Sequence, residues 1–284
     1  MSARILDGRA LARRLNQALK IRAAELPRPP GLGVVLVGED PASRVYVRRK
    51  GIVAERLGFL HRQHDLPADS SLERIQGVVA ELNDDPAIDG ILVQLPLPGG
   101  LDGRLVTEWI EPDKDVDGLT TISAGLLAQG RPHLIPCTPL GILRLLEEAE
   151  VSLEGLDAVV IGRSNLVGRP VAHLLEQANA TVTQCHSRTR DLAGIVGRSD
   201  VVVAALGHPG AVEGEWIRPG AVVIDVGVNR LEDGTLAGDV GFEVAAQRAS
   251  AITPVPGGVG PMTIAMLMEN TLRASAQRQG RPVD

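Results

Sequence analysis

Four consecutive apolar residues, Ala158 to Ile161, run straight into Gly162. A second glycine, Gly168, then opens a stretch in which Val171, Leu174 and Leu175 recur at helical spacing. An uninterrupted apolar run is what a strand buried on both faces of a parallel sheet requires, and the spacing after it is that of an amphipathic helix. Strand, tight turn and helix in that order restrict the chain to an α/β architecture. The turn also offers backbone N–H groups at the positive end of a helix dipole, which suits a phosphate. Its spacing departs from the dinucleotide fingerprint G-x-G-x-x-G, since Ser164 stands at the second glycine and Gly168 comes one residue late. Taken alone, the turn reads as well as an ordinary strand-to-helix connection without a ligand.

The following strand adds information. Thr181 to Cys185 alternates and ends where a site for NAD would carry an acidic residue for the ribose hydroxyl. His186-Ser187-Arg188-Thr189 stands there instead. A hydroxyl and a cation suit a 2′-phosphate, so NADP is the expected cofactor, and Arg163 in the turn supplies a second cation. The alternative is a solvated basic loop.

Composition narrows the partners. A net charge of -6 leaves no basic excess for neutralising nucleic-acid phosphates. The two cysteines, Cys137 and Cys185, form neither a C-x-x-C pair nor a metal-like cluster, which points to a reduced, cytoplasmic compartment. Met1 to Gly8 lacks the apolar core of a signal peptide, and no apolar run approaches the ~18 residues of a membrane span.

Strand and helix signals alternate through residues 1–118 and again from Leu156 to about Thr253, with a helical connector over Thr120 to Glu150. Two α/β units follow from this alternation. In the first, Asp40 and Pro41 start a helix on which Tyr46, Lys50, Val53 and Leu57 share one stripe. A lysine in an apolar stripe is either a snorkelling side chain or a tuned amine. His61 and His64 would face opposite sides of a strand, which argues against a metal site. Gln94 closes the Ile88 to Val93 strand just before Pro96 and Pro98, at the end where open α/β sheets bind ligands. The run Glu111 to Gly118 has the look of a solvated turn in which only Asp117, next to a glycine, resembles a positioned carboxylate. Near the end, Pro254 to Thr263 reads as a loop, stiff at its prolines and bare at its glycines, before a helix from Ile264 to about Ala276. The glycines suit either a flat ligand close to the backbone or purely structural packing.

These segments together resemble the bifunctional methylenetetrahydrofolate dehydrogenase/cyclohydrolase family over nearly the whole length. The resemblance is carried by Val37 to Ser43, the Tyr46-x-x-x-Lys50 pair, Gln94 to Pro98, Lys114 to Gly118, Pro136-Cys137-Thr138-Pro139, Gly162 to Asn165, and Pro256 to Thr263. It implies an N-terminal α/β folate domain over 1–118 joined by a last helix, 262–284, that returns to it. A connector and a Rossmann-like NADP-binding domain over 119–261 complete the chain. It implies a homodimer and a folate substrate; that no nucleic acid, membrane or metal takes part is the expectation from charge, apolar-run length and histidine placement. Carried over by position, Tyr46 would stack on the folate, Lys50 would be the catalytic lysine, Gln94 would hold and tune it, and Asp117 would bind the pterin ring. Pro256, Gly257, Gly258 and Val259 would line the folate pocket. Gly162, Arg163, Ser164, Ser187 and Val228 would contact NADP, joined by Arg188 from the residue pattern. The implied chemistry is oxidation of the one-carbon bridge by NADP+ followed by hydrolysis to the 10-formyl compound. Two other readings remain open on the sequence: a shikimate-type NADP dehydrogenase and a dinucleotide sensor without catalysis.

Overall fold

The structure is a computed structural model that describes residues 2–281. The chain divides into two compact units, one of Met1–Arg13 and Thr138–Thr263, the other of Arg14–Cys137 and Ile264–Asp284.

The second of these is built on a three-stranded parallel sheet in the order Leu60–Leu66, Gly31–Val37, Gly90–Val93. Every residue of the middle strand is buried, as its unbroken apolar run requires. The Pro41–Arg56 helix starts where Asp40 Oδ2 accepts a hydrogen bond from Ser43 N at 2.7 Å, with proline in the first turn. On the Leu72–Asp84 helix, Ile75, Val78, Val79 and Leu82 fall at i, i+3, i+4 and i+7 and pack on Val35, Val37, Ile91 and Val93. Each such side chain contributes roughly 1.5–3 kcal/mol by leaving water. In the last helix, Val259–Arg278, Asn270 Nδ2 donates to Val116 O and to Ile135 O, both at 2.8 Å. Gln279 exchanges hydrogen bonds with the Arg28 backbone, and Arg278 lies 3.3 Å from Asp89. The final residues of the expected 262–284 segment, Pro282 to Asp284, lie outside the described residues.

The other unit carries a six-stranded parallel sheet in the order Arg4–Ile5, Ala251–Ile252, Val222–Asp225, Val201–Ala204, Asp157–Ile161, Thr181–Cys185. Its direction of winding reverses between Asp157–Ile161 and Val201–Ala204, the kind of switch point at which doubly wound sheets bind ligands. Val159, Ile161, Val202, Val223 and Ile252 form the heart of its core. A short hairpin pairs Asn229–Arg230 with Leu236–Ala237.

Arg4–Ile5 pairs with Ala251–Ile252 and completes the larger sheet, and Met1–Arg13 groups with Thr138–Thr263. One expectation changes here. The last helix begins at Val259 rather than Ile264, because Gly260 and Pro261 fall in its first turn, where a missing N–H costs nothing.

Candidate functional site

Lys50 sits on the inner face of the Pro41–Arg56 helix with Ser43, Val47, Gly51 and Ala54, and only 6% of it is exposed. It does not snorkel. Its Nζ donates to Gln94 Oε1 at 2.9 Å and lies 5.9 Å from the ring centroid of half-buried Tyr46. Gln94 is held in turn, since its backbone N–H bonds Val35 O at 2.9 Å and its Nε2 donates to Leu95 O at 2.6 Å. With Nε2 committed to a carbonyl, Oε1 is the end that faces the amine.

Burial pushes the Lys50 amine below its ordinary range, against the opposing pull of Asp117 and of the Cys137 thiol. Burial likewise lifts the Asp117 carboxyl above its ordinary range, while Lys50 and the Cys137 thiol hold it back. The thiol itself is pushed well up by burial and by the Asp117 charge, so it stays protonated and is no nucleophile. It lies 3.2 Å from Val116 O. Lys50, Gln94, Tyr46 and Asp117 are therefore gathered in one unit, around an amine that burial shifts toward its neutral form.

The run Glu111 to Gly118 is not a solvated turn. Lys114 is fully buried, and its Nζ donates to Leu82 O, Asn83 O and Asp85 O at 3.0, 2.6 and 3.0 Å. It thereby satisfies carbonyls left over at the end of the Leu72–Asp84 helix. Asp115, 1% exposed, accepts from Leu119 N, Thr120 N and Ser123 Oγ. Gly118 takes φ +67°, and a Cβ there would meet Pro136 N at 2.6 Å. The loop that carries Asp117 is anchored just ahead of it by Lys114 and Asp115, residues whose charges, in sequence, suggested solvent. Lys114, Asp115, Asn270 and the thiol of Cys137 are the parts that residue patterns missed.

In the other unit, Gly162 follows the Asp157–Ile161 strand with φ +132°, and a Cβ on it would lie 2.2 Å from Ala205 O. Gly168 is as tight, because its Cβ would fall 2.2 Å from Gly162 O. No side chain fits at either place, which leaves a bare backbone cradle at the switch point. Ser164 Oγ accepts from Val167 N at 3.1 Å and Gly168 N at 3.4 Å, and Ser164 O accepts from Arg169 N. The first N–H groups of the helix, which sequence offered to a phosphate, are thus spent on Ser164, and Pro170 has none. Arg163, Ser164, Ser187 and Arg188 are all exposed, so their side chains can reach a phosphate. The turn bearing Ser187 and Arg188 is closed by His186 N bonding Thr189 Oγ1 and Arg188 N bonding His186 Nδ1. Val228 is 55% exposed in the turn after the Val222–Asp225 strand. A bare glycine cradle and a basic turn with no carboxylate at its tip fit a dinucleotide carrying a 2′-phosphate.

Pro256 to Val259 belong to this unit. Gly257 has φ +117°, its carbonyl accepts from Arg9 N at 3.2 Å, and a Cβ on Gly8 would meet Gly258 O at 1.8 Å. The close approach that these glycines allow is to the chain's own Gly8–Arg9. Among the described residues, no group of three or more His, Cys, Asp or Glu could hold a metal, and no helix is long and apolar enough to cross a membrane.

Comparison with known proteins gives consistent matches. The catalytic domain described as "Tetrahydrofolate dehydrogenase/cyclohydrolase, catalytic domain" matches residues 6–117, and its NAD(P)-binding counterpart matches residues 136–279. The bifunctional protein FolD of Acidiphilium cryptum (strain JF-5) is 54% identical over 279 residues, 98% of this chain and 100% of the relative. The crystal structure of the bifunctional FolD dehydrogenase/cyclohydrolase of Campylobacter jejuni gives a TM-score of 0.95 at 42% identity, covering 98% of this chain and 100% of that one. The Trypanosoma brucei FolD, crystallised with NADP cofactor and an inhibitor, gives 0.94 at 41% identity over 99% of both chains. Shikimate 5-dehydrogenase of Thermus thermophilus, at 16% identity, 87% of this chain and 99% of its own, gives 0.52, a likeness of fold alone.

Proposed function

Because the chain belongs to the tetrahydrofolate dehydrogenase/cyclohydrolase family, we infer that its buried lysine and its glycine cradle divide the two reactions of that family between them. The chain oxidises 5,10-methylenetetrahydrofolate to the 5,10-methenyl compound with NADP+ and then hydrolyses that cation to 10-formyltetrahydrofolate. Bound NADP+ supplies the hydride acceptor. Gly162, Arg163, Ser164, Ser187, Arg188 and Val228 hold it, the guanidinium of Arg188 being matched to the 2′-phosphate.

On the folate side, Tyr46 stacks on the substrate and Asp117 accepts hydrogen bonds from the pterin. Oxidation asks nothing of a base, because electrons from the neighbouring nitrogen replace the departing hydride. It needs orientation above all. Hydrolysis needs one group that takes a proton from water and returns one to the leaving nitrogen. Lys50 suits both halves. With one N–H donated to Gln94 Oε1, the neutral amine keeps its lone pair for water, and the ammonium then formed is the donor. The observation that carries this reading is the buried Lys50–Gln94 pair beside Asp117.

On the same reading the protein works as a homodimer in the cytoplasm, away from nucleic acid and membrane. The net charge of -6 supports the absence of nucleic acid. The test of the whole is a single spectroscopic assay with methylenetetrahydrofolate and NADP+. NADPH and 10-formyltetrahydrofolate should both accumulate, and NADPH without hydrolysis would remove Lys50 from its role.

A further inference from the structure

Two aspartates that none of this chemistry uses are buried at the carboxyl end of the six-stranded sheet. Asp225 ends its strand with 3% exposure, and Asp239 is fully buried. Asp239 Oδ2 accepts from Leu206 N at 2.6 Å and Gly207 N at 2.9 Å, and Oδ1 accepts from His208 N and Asn229 Nδ2, each at 2.9 Å. Three consecutive backbone N–H groups thus converge on one carboxylate, in the manner of an anion nest that the protein fills itself. Asp225 accepts from Gly227 N, Asp239 N and Val240 N, all at 2.9 Å. Burial pushes the Asp225 carboxyl up to about 6, with the charge of Asp239 adding to the rise, so it remains ionised at neutral pH. The two sites interlock through glycine. A Cβ on Gly227 would lie 2.3 Å from Asp239 Oδ1, and one on Gly238 would lie 2.0 Å from Asp225 Oδ2.

The segments tied together are the turns after Val201–Ala204 and Val222–Asp225, beside the switch point. Continuity runs further. Ala205, which begins the first turn, is the residue whose carbonyl excludes a side chain at Gly162, and Val228 stands exposed in the second turn. A line of contact therefore joins the Gly162 cradle, the Leu206–His208 turn, Asp239, Asn229 and the Val228 turn.

We propose that Asp239, seated with Asp225, is a positioning residue for the dinucleotide, locking the turns at 206–208 and 227–229 into one preformed wall of the NADP+ site. The proposal rests on the reading that Gly162 and Val228 face the cofactor. A wall assembled in advance spares the ligand the cost of ordering two loops. Loss of the lock should therefore appear in NADP+ binding and not in folate handling.

Asp239→Asn keeps the shape but turns an NH2 group toward backbone donors. NADP+ titration and steady-state kinetics should show its Kd and KM for NADP+ raised at least tenfold. KM for supplied methenyltetrahydrofolate in the hydrolytic reaction, which needs no dinucleotide, should move less than twofold. A folded Asp239→Asn with NADP+ affinity within twofold of wild type overturns the proposal. Should that variant fail to fold, Asn229→Ala, which removes one bond to Oδ1, decides in its place: about a threefold loss of NADP+ affinity supports the lock and an unchanged affinity refutes it. Val228→Asp separates the proposal from the reading beneath it. If a carboxylate there leaves NADP+ binding unchanged, the turn does not face the cofactor and both fall. If it weakens binding while Asp239→Asn does not, the lock alone is wrong.

Discussion

Lys50 has two possible uses, packing and proton transfer, and its burial separates them. A snorkelling lysine keeps its ammonium in water, whereas this one is 6% exposed and its amine is drawn toward the neutral form. Lys50→Met keeps the length and the apolar stem and deletes the amine. Removing a general acid–base costs ~10²–10⁴-fold, so cyclohydrolase turnover should fall by that factor while a measurable fraction of dehydrogenase activity survives and methenyltetrahydrofolate accumulates. Absorbance of that product beside NADPH formation gives the result, and hydrolysis above about a tenth of wild type returns Lys50 to packing. The pH dependence has a definite sign. The folded amine titrates below its ordinary 10.5, so its base form, and with it hydrolysis, grows as pH rises through a window lower than that value. The associated stability is present above 10.5 and is lost as pH falls through the folded value, because the cation must then be buried. Arg188→Ala tests the other end of the reaction. A charge-assisted contact to the 2′-phosphate is worth about 1.5–3 kcal/mol. NADP+ should lose ~10–100-fold in kcat/KM while NAD+ barely changes, and equal losses for the two would place Arg188 in a merely basic loop.

At the level of elements, the apolar runs announce themselves and the charged ones mislead. Val159, Val202 and Val223 stand in continuous hydrophobic stretches, and each is a strand buried on both faces. Lys50, Gln94 and Asp117 can be picked out because each departs from its surroundings: a cation in an apolar stripe, an amide at a strand end, an acid before a glycine. Arg4–Ile5 and Ala251–Ile252 have no such signal, since two residues carry no periodicity. Lys114 reads as solvated for a different reason. Its partners are helix-end carbonyls some thirty positions away, and only the folded chain brings them near. Asp225 and Asp239 are invisible for a similar reason, since most of their partners are backbone groups of other loops. Lys114→Met would leave Leu82 O, Asn83 O and Asp85 O without their donor. An unsatisfied buried polar group costs about 1–3 kcal/mol, so urea unfolding should show a loss near the upper end of that range. Because the same loop carries Asp117, folate KM should rise with it. A variant as stable as wild type would mean that water serves those carbonyls equally well.

For the molecule as a whole, the route of the chain matters more than the size of either sheet. The division at residues 13/14 and 263/264 falls inside the helices Gly8–Ala24 and Val259–Arg278, and at 137/138 it falls after the first residue of the helix Cys137–Glu148. A helix unfolded on one side of such a cut loses the i→i−4 bonds that span it and must be renucleated on the other, which is the unfavourable step of helix formation. Unfolding of either unit therefore takes turns away from its neighbour, and the two should melt as one. Bound cofactor makes this measurable. The residues proposed for NADP+, from Gly162 to Val228, all lie in the unit of Met1–Arg13 and Thr138–Thr263. At a hundred times its Kd, a ligand specific for the folded state adds about 2.7 kcal/mol. If the units were independent, that stabilisation would raise one transition and leave the second in place. Scanning calorimetry with and without NADP+ should instead give a single heat peak that moves upward entire, its van't Hoff and calorimetric enthalpies in agreement. A peak that splits when NADP+ is added, one part rising and one stationary, would mean that the shared helices break at the boundary without transmitting the cost.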